Sequence, residues 1–162
     1  MKSICFYFQV HQPFRLRLYR FFEIGKSHNY YDDIQNSWLC RRIADKCYLP
    51  TNQLMLDLIN QTQGKFKISY SISGTAIEQF QRYTPEVIDS FKRLADTGKV
   101  EFLCETYTHS LAALKSENEF NSQVKIQKKL IKDIFNYNPK VFRNIELIYS
   151  DEIGRMVRKL GF

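Results

Sequence analysis

The sequence predicts an α/β fold built on a parallel sheet of about four strands with flanking helices. Short apolar runs alternate with helical patterns along the chain, an order that favours parallel strands joined by right-handed crossovers. With 162 residues and an apolar fraction of 44%, the chain can bury the core of one ordinary domain. We therefore expect a single domain over residues 1–162.

The first strand is predicted at residues 3–10, whose continuous apolar run is typical of a strand buried on both faces. This run ends in His11, Gln12 and Pro13, three residues that suit a core poorly. Residues 13–37 then form an aromatic, basic segment that exceeds the usual length of a connection, which favours a functional loop.

Helical spacing begins at Trp38, and a second helix is predicted after Pro50 because proline favours the first turn of a helix. Residues 65–72 alternate between polar and apolar side chains and predict the second strand. A turn at residues 73–75 leads into a short helix, and Thr84 followed by proline starts another.

The third strand is predicted at residues 100–104, and the fourth runs from Lys140 to Ile145. Between them, Ser116 and Glu119 have the spacing of a capping box, which opens a long helix. Ser150 is expected to cap the last helix.

Composition narrows the possible partners. The net charge of +7, with three arginines among the aromatic residues of segment 13–37, raises the question of nucleic acid. The other basic residues are scattered along helices without a nucleic-acid motif, which argues against nucleic acid as the main partner. No stretch approaches the roughly 20 apolar residues of a membrane span, and the N-terminus lacks a secretory cleavage pattern. Four cysteines without C-x-x-C spacing indicate reduced thiols, so we expect a cytoplasmic protein with no membrane partner.

Polar side chains lie at the carboxyl ends of all four predicted strands, where ligands gather in parallel α/β folds. Each has an ordinary explanation on its own, such as a histidine satisfied in the core or a glutamate that begins a helix. Coincidence at four successive strand ends favours a shared binding site. The residues concerned are His11 and Gln12, residues 73–75, Glu101, Glu105, Thr106 and His109, and Glu146.

Three segments, "FYFQVHQPFR", "TGKVEFL" and "VFRNIELIYSDEIG", resemble in this order the first three sequence regions of glycoside hydrolase family 57, the α-amylase and 4-α-glucanotransferase group. The resemblance covers essentially the whole chain. It implies a seven-stranded (β/α) barrel, similar in fold to polysaccharide deacetylases, of which this chain would form the N-terminal portion as an incomplete barrel. It also implies cleavage or transfer of α-glucans with retention of configuration, without a cofactor or a metal ion.

By position, the resemblance implies that Glu146 is the catalytic nucleophile, that His11 lies at the sugar-binding floor and that Glu101 lies beside it. A retaining glycosidase needs an ionised nucleophile, and hydrogen-bond donors such as His11 would help to keep Glu146 charged. Gln12 and His109 are further candidates for substrate binding because of their positions just after predicted strands.

An aromatic ring beside a glucan can stack on the apolar face of a sugar, and Trp38 or Tyr149 is the candidate here. The family's general acid is an aspartate in a fourth region, which no segment of this sequence matches. Asp151 lies where a role in capping the last helix is expected. We therefore expect an α-glucan or maltooligosaccharide as the substrate and little activity from this chain alone. Four strands leave open sheet edges, which predicts self-association.

Two other functions stay open. A metal-dependent polysaccharide deacetylase on the related barrel would need a compact set of aspartate and histidine ligands. Only His11, His28 and His109 are available, without H-x-x-x-H spacing. A non-catalytic module that binds glucan or nucleic acid is the second alternative. Hydrolysis and transglycosylation by the parent enzyme both fit the sequence.

Overall fold

The computed structural model describes residues 4–162 and contains a parallel three-stranded sheet with helices packed against it. The strands are β1 (Tyr7–Val10), β2 (Ile68–Ile72) and β3 (Val100–Leu103), and they lie side by side in that order. The predicted α/β class and the parallel arrangement are confirmed. Residue 3, where the first strand was expected to begin, is outside the described residues.

Six α-helices connect and follow the strands of the described chain. Short 3-10 turns occur at Phe21–Glu23, Ala112–Leu114 and Ile145–Leu147. The α-helices are α1 (Asp33–Ile43), α2 (Leu49–Gln61), α3 (Gly74–Tyr83), α4 (Pro85–Asp96), α5 (Glu117–Phe135) and α6 (Asp151–Lys159).

The expected helix start at Pro50 is wrong in one respect, because the chain is already helical before it. A π-helical stretch, Ala44–Tyr48, joins α1 to α2 without a break. Proline lacks an amide hydrogen and crowds the carbonyl four residues earlier, which here belongs to Lys46. Since Lys46 lies inside the wider π-helical turn, the helix continues past Pro50.

Two of the predicted caps are confirmed. The Ser116 hydroxyl accepts a hydrogen bond from the Glu119 amide at 3.2 Å, and the Ser150 side chain caps α6 in the same way. Thr84 does precede α4 as predicted, but its hydroxyl lies 3.2 Å from the sulfur of Cys40 rather than on the helix amides.

The alternation of side chains along the strands separates an apolar face from a polar one. The register pairs Tyr7 with Ser69 and Ser69 with Glu101, so every second residue of each strand shares a face. The apolar face packs against the helices and is formed by Val10, Ile68, Tyr70, Ile72, Val100 and Phe102. The opposite face, called the polar face below, is formed by Tyr7, Gln9, Ser69, Ser71, Glu101 and Leu103.

The expectation that the first strand is buried on both faces is wrong. β1 lies at the edge of the sheet, and Phe6 and Phe8 are 48% and 37% exposed. An edge strand has a neighbour on one side only, so its apolar side chains lose the cover that a second neighbour would give.

The predicted fourth strand, Lys140 to Ile145, is reduced to a single parallel bridge between Phe142 and Cys104. Two backbone hydrogen bonds of 2.9 Å hold it, one on each side of the bridge. Immediately afterwards Glu146 and Leu147 take φ values of +51° and +55°. Left-handed backbone cannot continue an extended strand, so the ladder stops there.

Gly74 offers a test of how tightly the ends of β2 and β3 are packed together. Its amide donates to the Tyr107 carbonyl at 2.8 Å, and a Cβ at this position would overlap the Tyr107 ring. We expect Gly74→Ala to lower the free energy of unfolding by about 1–3 kcal/mol, measured by urea denaturation.

The matched control is Gly154→Ala in α6, where the added Cβ would meet the outer edge of the exposed Tyr149 ring, with the hydroxyl oxygen at 2.9 Å and Cε2 at 3.3 Å. Since alanine favours a helix over glycine, this variant is expected to gain about 0.5–1 kcal/mol. Equal effects at the two glycines would contradict the packing described for Gly74.

Candidate active site

His11 and Ser73 bring the carboxyl ends of β1 and β2 together. Each residue directly follows its strand, and the His11 Nδ1 lies 2.8 Å from the Ser73 hydroxyl oxygen. The same hydroxyl accepts a hydrogen bond from the Ala76 amide at 3.3 Å, so it also caps α3. The start of a helix thereby fixes the position of the His11 ring.

His109 brings the chain after β3 to the same place. Its ring stacks on that of His11, with centroids 4.2 Å apart and an interplanar angle of 21°. Burial, followed by the neighbouring charges of His109 and Arg15, lowers the pKa of His11 from 6.5 to about 4. His11 is therefore neutral at neutral pH.

Glu146 lies beside His109 at the open side of this group. The Glu146 Oε1 lies 4.0 Å from His109 Nε2, and the Glu146 side chain is 70% exposed. The imidazole next to Glu146 is that of His109, which differs from the expectation that His11 would support this carboxylate. The left-handed backbone at Glu146 and Leu147 costs about 1–3 kcal/mol per residue, a kind of strain that is concentrated at functional sites.

Glu105 is one of the polar residues predicted to lie near the strand ends, but no role was predicted for it. It is fully buried, and its Oε2 lies 3.2 Å from His109 Nδ1. The signal was present in the strand period, since residues 101, 103 and 105 share one face. We call His11, Ser73, Glu105, His109 and Glu146 the strand-end cluster.

Gln9 and Arg143 link the cluster to the segment that carries Glu146. Arg143 Nη1 donates to Gln9 Oε1 at 3.0 Å, and Gln9 Nε2 lies 3.1 Å from His109 Nε2. The Arg143 guanidinium also lies over the Tyr7 ring, 4.9 Å from its centroid. Arg143 lies in the segment "VFRNIELIYSDEIG", but no role was predicted for it, because its role depends on a contact across 134 residues.

Glu101 lies on the polar face but at the amino end of the strands. Its Oε2 accepts a hydrogen bond from the Ser69 hydroxyl at 3.0 Å, three residues before β2 ends. Together with Phe6 and Lys99, it lines a cavity of about 440 Å³. The structure therefore does not place Glu101 beside His11.

Gln12 and Trp38 are also directed away from the cluster. Gln12 is buried, donates to the Tyr48 hydroxyl at 2.9 Å and accepts from Arg15, so it ties the chain after β1 to the helices. Trp38 is exposed on α1, where its ring packs against Arg42 in a cation–π contact. Tyr149 is exposed too and lies near Gly154 of α6.

The ligand set of a metal-dependent deacetylase is not assembled in the part of the chain that the structure describes. No group of three or more histidine, cysteine, aspartate or glutamate side chains in residues 4–162 is arranged to hold a metal ion. Within the same residues, none of the helices combines the length and the apolar character needed to cross a bilayer. All four cysteines have free thiols.

Comparison with known proteins gives a consistent result. The family model described as "Glycosyl hydrolase family 57" matches residues 5–162. A protein of Methanocaldococcus jannaschii named "Putative alpha-amylase" is 42% identical over 165 residues, which covers 98% of this chain and 34% of that protein. The chain thus spans about a third of the length of this curated relative.

Two solved structures share the fold at low sequence identity. The 4-alpha-glucanotransferase from Thermococcus litoralis superposes with a TM-score of 0.73 at 17% identity, over 98% of this chain and 21% of that one. The GH57-type branching enzyme from Pyrococcus horikoshii gives a TM-score of 0.67 at 14% identity, over 98% of this chain and 40% of that one.

The lowered pKa of His11 makes folding stability depend on pH. Between pH 6.5 and about pH 4, the unfolded chain binds a proton at His11 that the folded chain does not. This contribution to stability is therefore fully present above pH 6.5 and is lost as the pH falls toward 4. We expect His11→Gln to reduce the slope of unfolding free energy against pH in this window, measured by urea denaturation.

His28→Gln is the control, because His28 lies exposed in the loop after β1. It removes an imidazole without touching the cluster. If His11→Gln and the wild type show the same slope between pH 6.5 and 4, the assignment of His11 as a half-buried, neutral imidazole is wrong.

Proposed function

The chain belongs to glycosyl hydrolase family 57, and from this premise we propose that the strand-end cluster is part of the active site of an α-glucan-active retaining glycoside hydrolase or glucanotransferase. The observation that carries the proposal is the position of Glu146. Its exposed carboxylate stands next to His109, which in turn stacks on His11, so three distant segments meet at one opening.

In the proposed mechanism Glu146 is the nucleophile. One carboxylate oxygen attacks the anomeric carbon of the glucan, the bond from that carbon to the leaving oxygen breaks, and a glycosyl ester forms on Glu146. The exposure of Glu146 supports this role because the oxygen must reach a sugar. The neutral ring of His11 and the stacked ring of His109 are placed to hydrogen-bond sugar hydroxyls beside Glu146.

Both steps need a second carboxyl group, which protonates the leaving oxygen in the first step and activates the acceptor in the second. Of the carboxylates in the described cluster, Glu105 is fully buried behind His109 and cannot face the leaving group. We propose that an aspartate outside this sequence is the general acid, and that the chain alone has little activity on ordinary maltooligosaccharides. Water as acceptor gives hydrolysis and a sugar hydroxyl gives transfer, so both outcomes share the step at Glu146.

Further parts of the proposal concern the chain as a whole. We propose that residues 1–162 are one domain, the N-terminal portion of a seven-stranded (β/α) barrel. Helix α5 supports the assignment of one domain, because it joins two cores. Its residue Ile131 packs in the core under the sheet, and its residue Phe120 packs in a second core with α6. The free thiols support a cytoplasmic location. The proposed partner is an α-glucan rather than nucleic acid.

Covalent trapping tests the nucleophile without requiring the general acid. In 5-fluoro-α-D-glucosyl fluoride the leaving group is fluoride, which departs without protonation, and the ring fluorine slows breakdown of the ester. We expect one glycosyl group to be added to the chain at Glu146, detected by intact-mass and peptide mass spectrometry. Glu146→Gln should abolish the label.

Glu152→Gln is the matched control, since it removes an exposed carboxylate from α6 close by in the chain. It should be labelled like the wild type. A label on any other carboxylate, or no label on protein shown to be folded by circular dichroism, would contradict the assignment of Glu146.

We also propose that the chain self-associates through the open edge of β1. Within the described residues β1 pairs only with β2, and Phe6 on this edge is 48% exposed. Light scattering after size-exclusion chromatography should show dimers or larger species, and Phe6→Glu should shift them toward monomer because a charge on an edge strand opposes pairing. Phe21→Glu, in the exposed loop after β1, should not. A wild-type monomer at every concentration, or dissociation by Phe21→Glu alone, would contradict the proposal.

A further inference from the structure

Glu105 is an unusual group for a stable core. It is fully buried, its Oε2 lies 3.2 Å from His109 Nδ1, and its Oε1 has no hydrogen-bond partner in the described chain. A buried carboxylate with an unpaired oxygen lowers stability, because the solvation lost on burial is not replaced. Its position therefore requires an explanation other than packing.

Two polar side chains, Gln9 and Glu105, lie beside the nitrogens of the His109 ring. A guanidinium only donates, so Arg143 Nη1, 3.0 Å from Gln9 Oε1, fixes that oxygen as the acceptor end of the amide. The Gln9 amide nitrogen then faces His109, 3.1 Å from Nε2 and 3.3 Å from Nδ1. An amide nitrogen that is nearly equidistant from both ring nitrogens lies on the lone-pair axis of neither, so this contact does not select which of them carries the hydrogen.

A neutral imidazole carries one hydrogen, on either Nδ1 or Nε2, and a hydrogen bond made by one nitrogen selects between the two forms. The Nδ1 faces Glu105 Oε2 at 3.2 Å, and a carboxylate accepts that hydrogen. The Glu105 contact therefore selects the tautomer with hydrogen on Nδ1.

We propose that Glu105 is a positioning residue that holds His109 in the tautomer with hydrogen on Nδ1 and a free electron pair on Nε2. This inference rests on the proposed function for its consequence at Glu146. An unprotonated Nε2 cannot donate to Glu146 Oε1, 4.0 Å away, so the attacking oxygen is not held by a hydrogen bond from the ring. The same Nε2 accepts from a donor, which suits a sugar hydroxyl beside the nucleophile.

Nitrogen-15 NMR of the chain without substrate measures the tautomer directly. The chain has three histidines, and the variants His11→Gln and His28→Gln assign their signals by elimination. In the wild type we expect His109 to show a protonated Nδ1 and an unprotonated Nε2. In Glu105→Leu, which removes the acceptor, we expect most of the population to move to the Nε2-protonated form.

Glu101→Leu is the matched control, because it makes the same change in phase with the same face of the sheet, but within β3 and toward its amino end. It should leave the His109 signals unchanged. Gln9→Leu removes the amide nitrogen that lies beside both ring nitrogens while Glu105 remains, and it should retain hydrogen on Nδ1.

Three results would overturn the inference: a wild-type His109 protonated on Nε2, an unchanged tautomer in Glu105→Leu, or a reversed tautomer in Gln9→Leu. The wild-type and Gln9→Leu measurements stand even if Glu105→Leu fails to fold. Since no sugar is present, the outcome is independent of whether Glu146 accepts a glycosyl group.

Discussion

The two-residue period of three parallel strands is the constraint on which the rest of this structure depends. Tyr7, Ser69 and Glu101 lie side by side in one row across the sheet. Because side chains alternate between the two faces, every second residue after each of them lies on the same face. Burying large apolar side chains such as Ile72 and Phe102 against the helices contributes about 1.5–3 kcal/mol each. A slip of one residue would exchange this apolar face for the polar one, and the register is fixed accordingly.

The strand-end cluster is a continuation of that register beyond the last ladder residues. His11, Ser73 and Glu105 each follow their strand in phase with the polar face, so the burial of the opposite face places them together. His109 then closes the group by a turn with φ of +56°, and its ring fills the space between His11 and Glu146. The apolar core thereby holds polar groups that would not associate by themselves.

Much of the fold was accessible from sequence because local signals and packing agree. The serine caps before α5 and α6, the proline at the start of α4 and the alternation before Ile72 all act over a few residues. The positions of His11, His109 and Glu146 followed from strand ends and family resemblance. Contacts between distant segments were not accessible: the burial of Gln12 against Tyr48, the distance of Glu101 from the carboxyl ends and the link from Arg143 to Gln9 depend on tertiary packing.

The most direct test of the central claim is a through-space measurement between the segments that form the cluster. With His11 and His109 assigned, nuclear Overhauser effects between their ring protons report the 4.2 Å stacking, and effects from His109 to the side chain of Glu146 report the second contact. Both sets of signals are expected in the folded chain. Their absence, with the sheet intact, would show that the polar groups do not share one site.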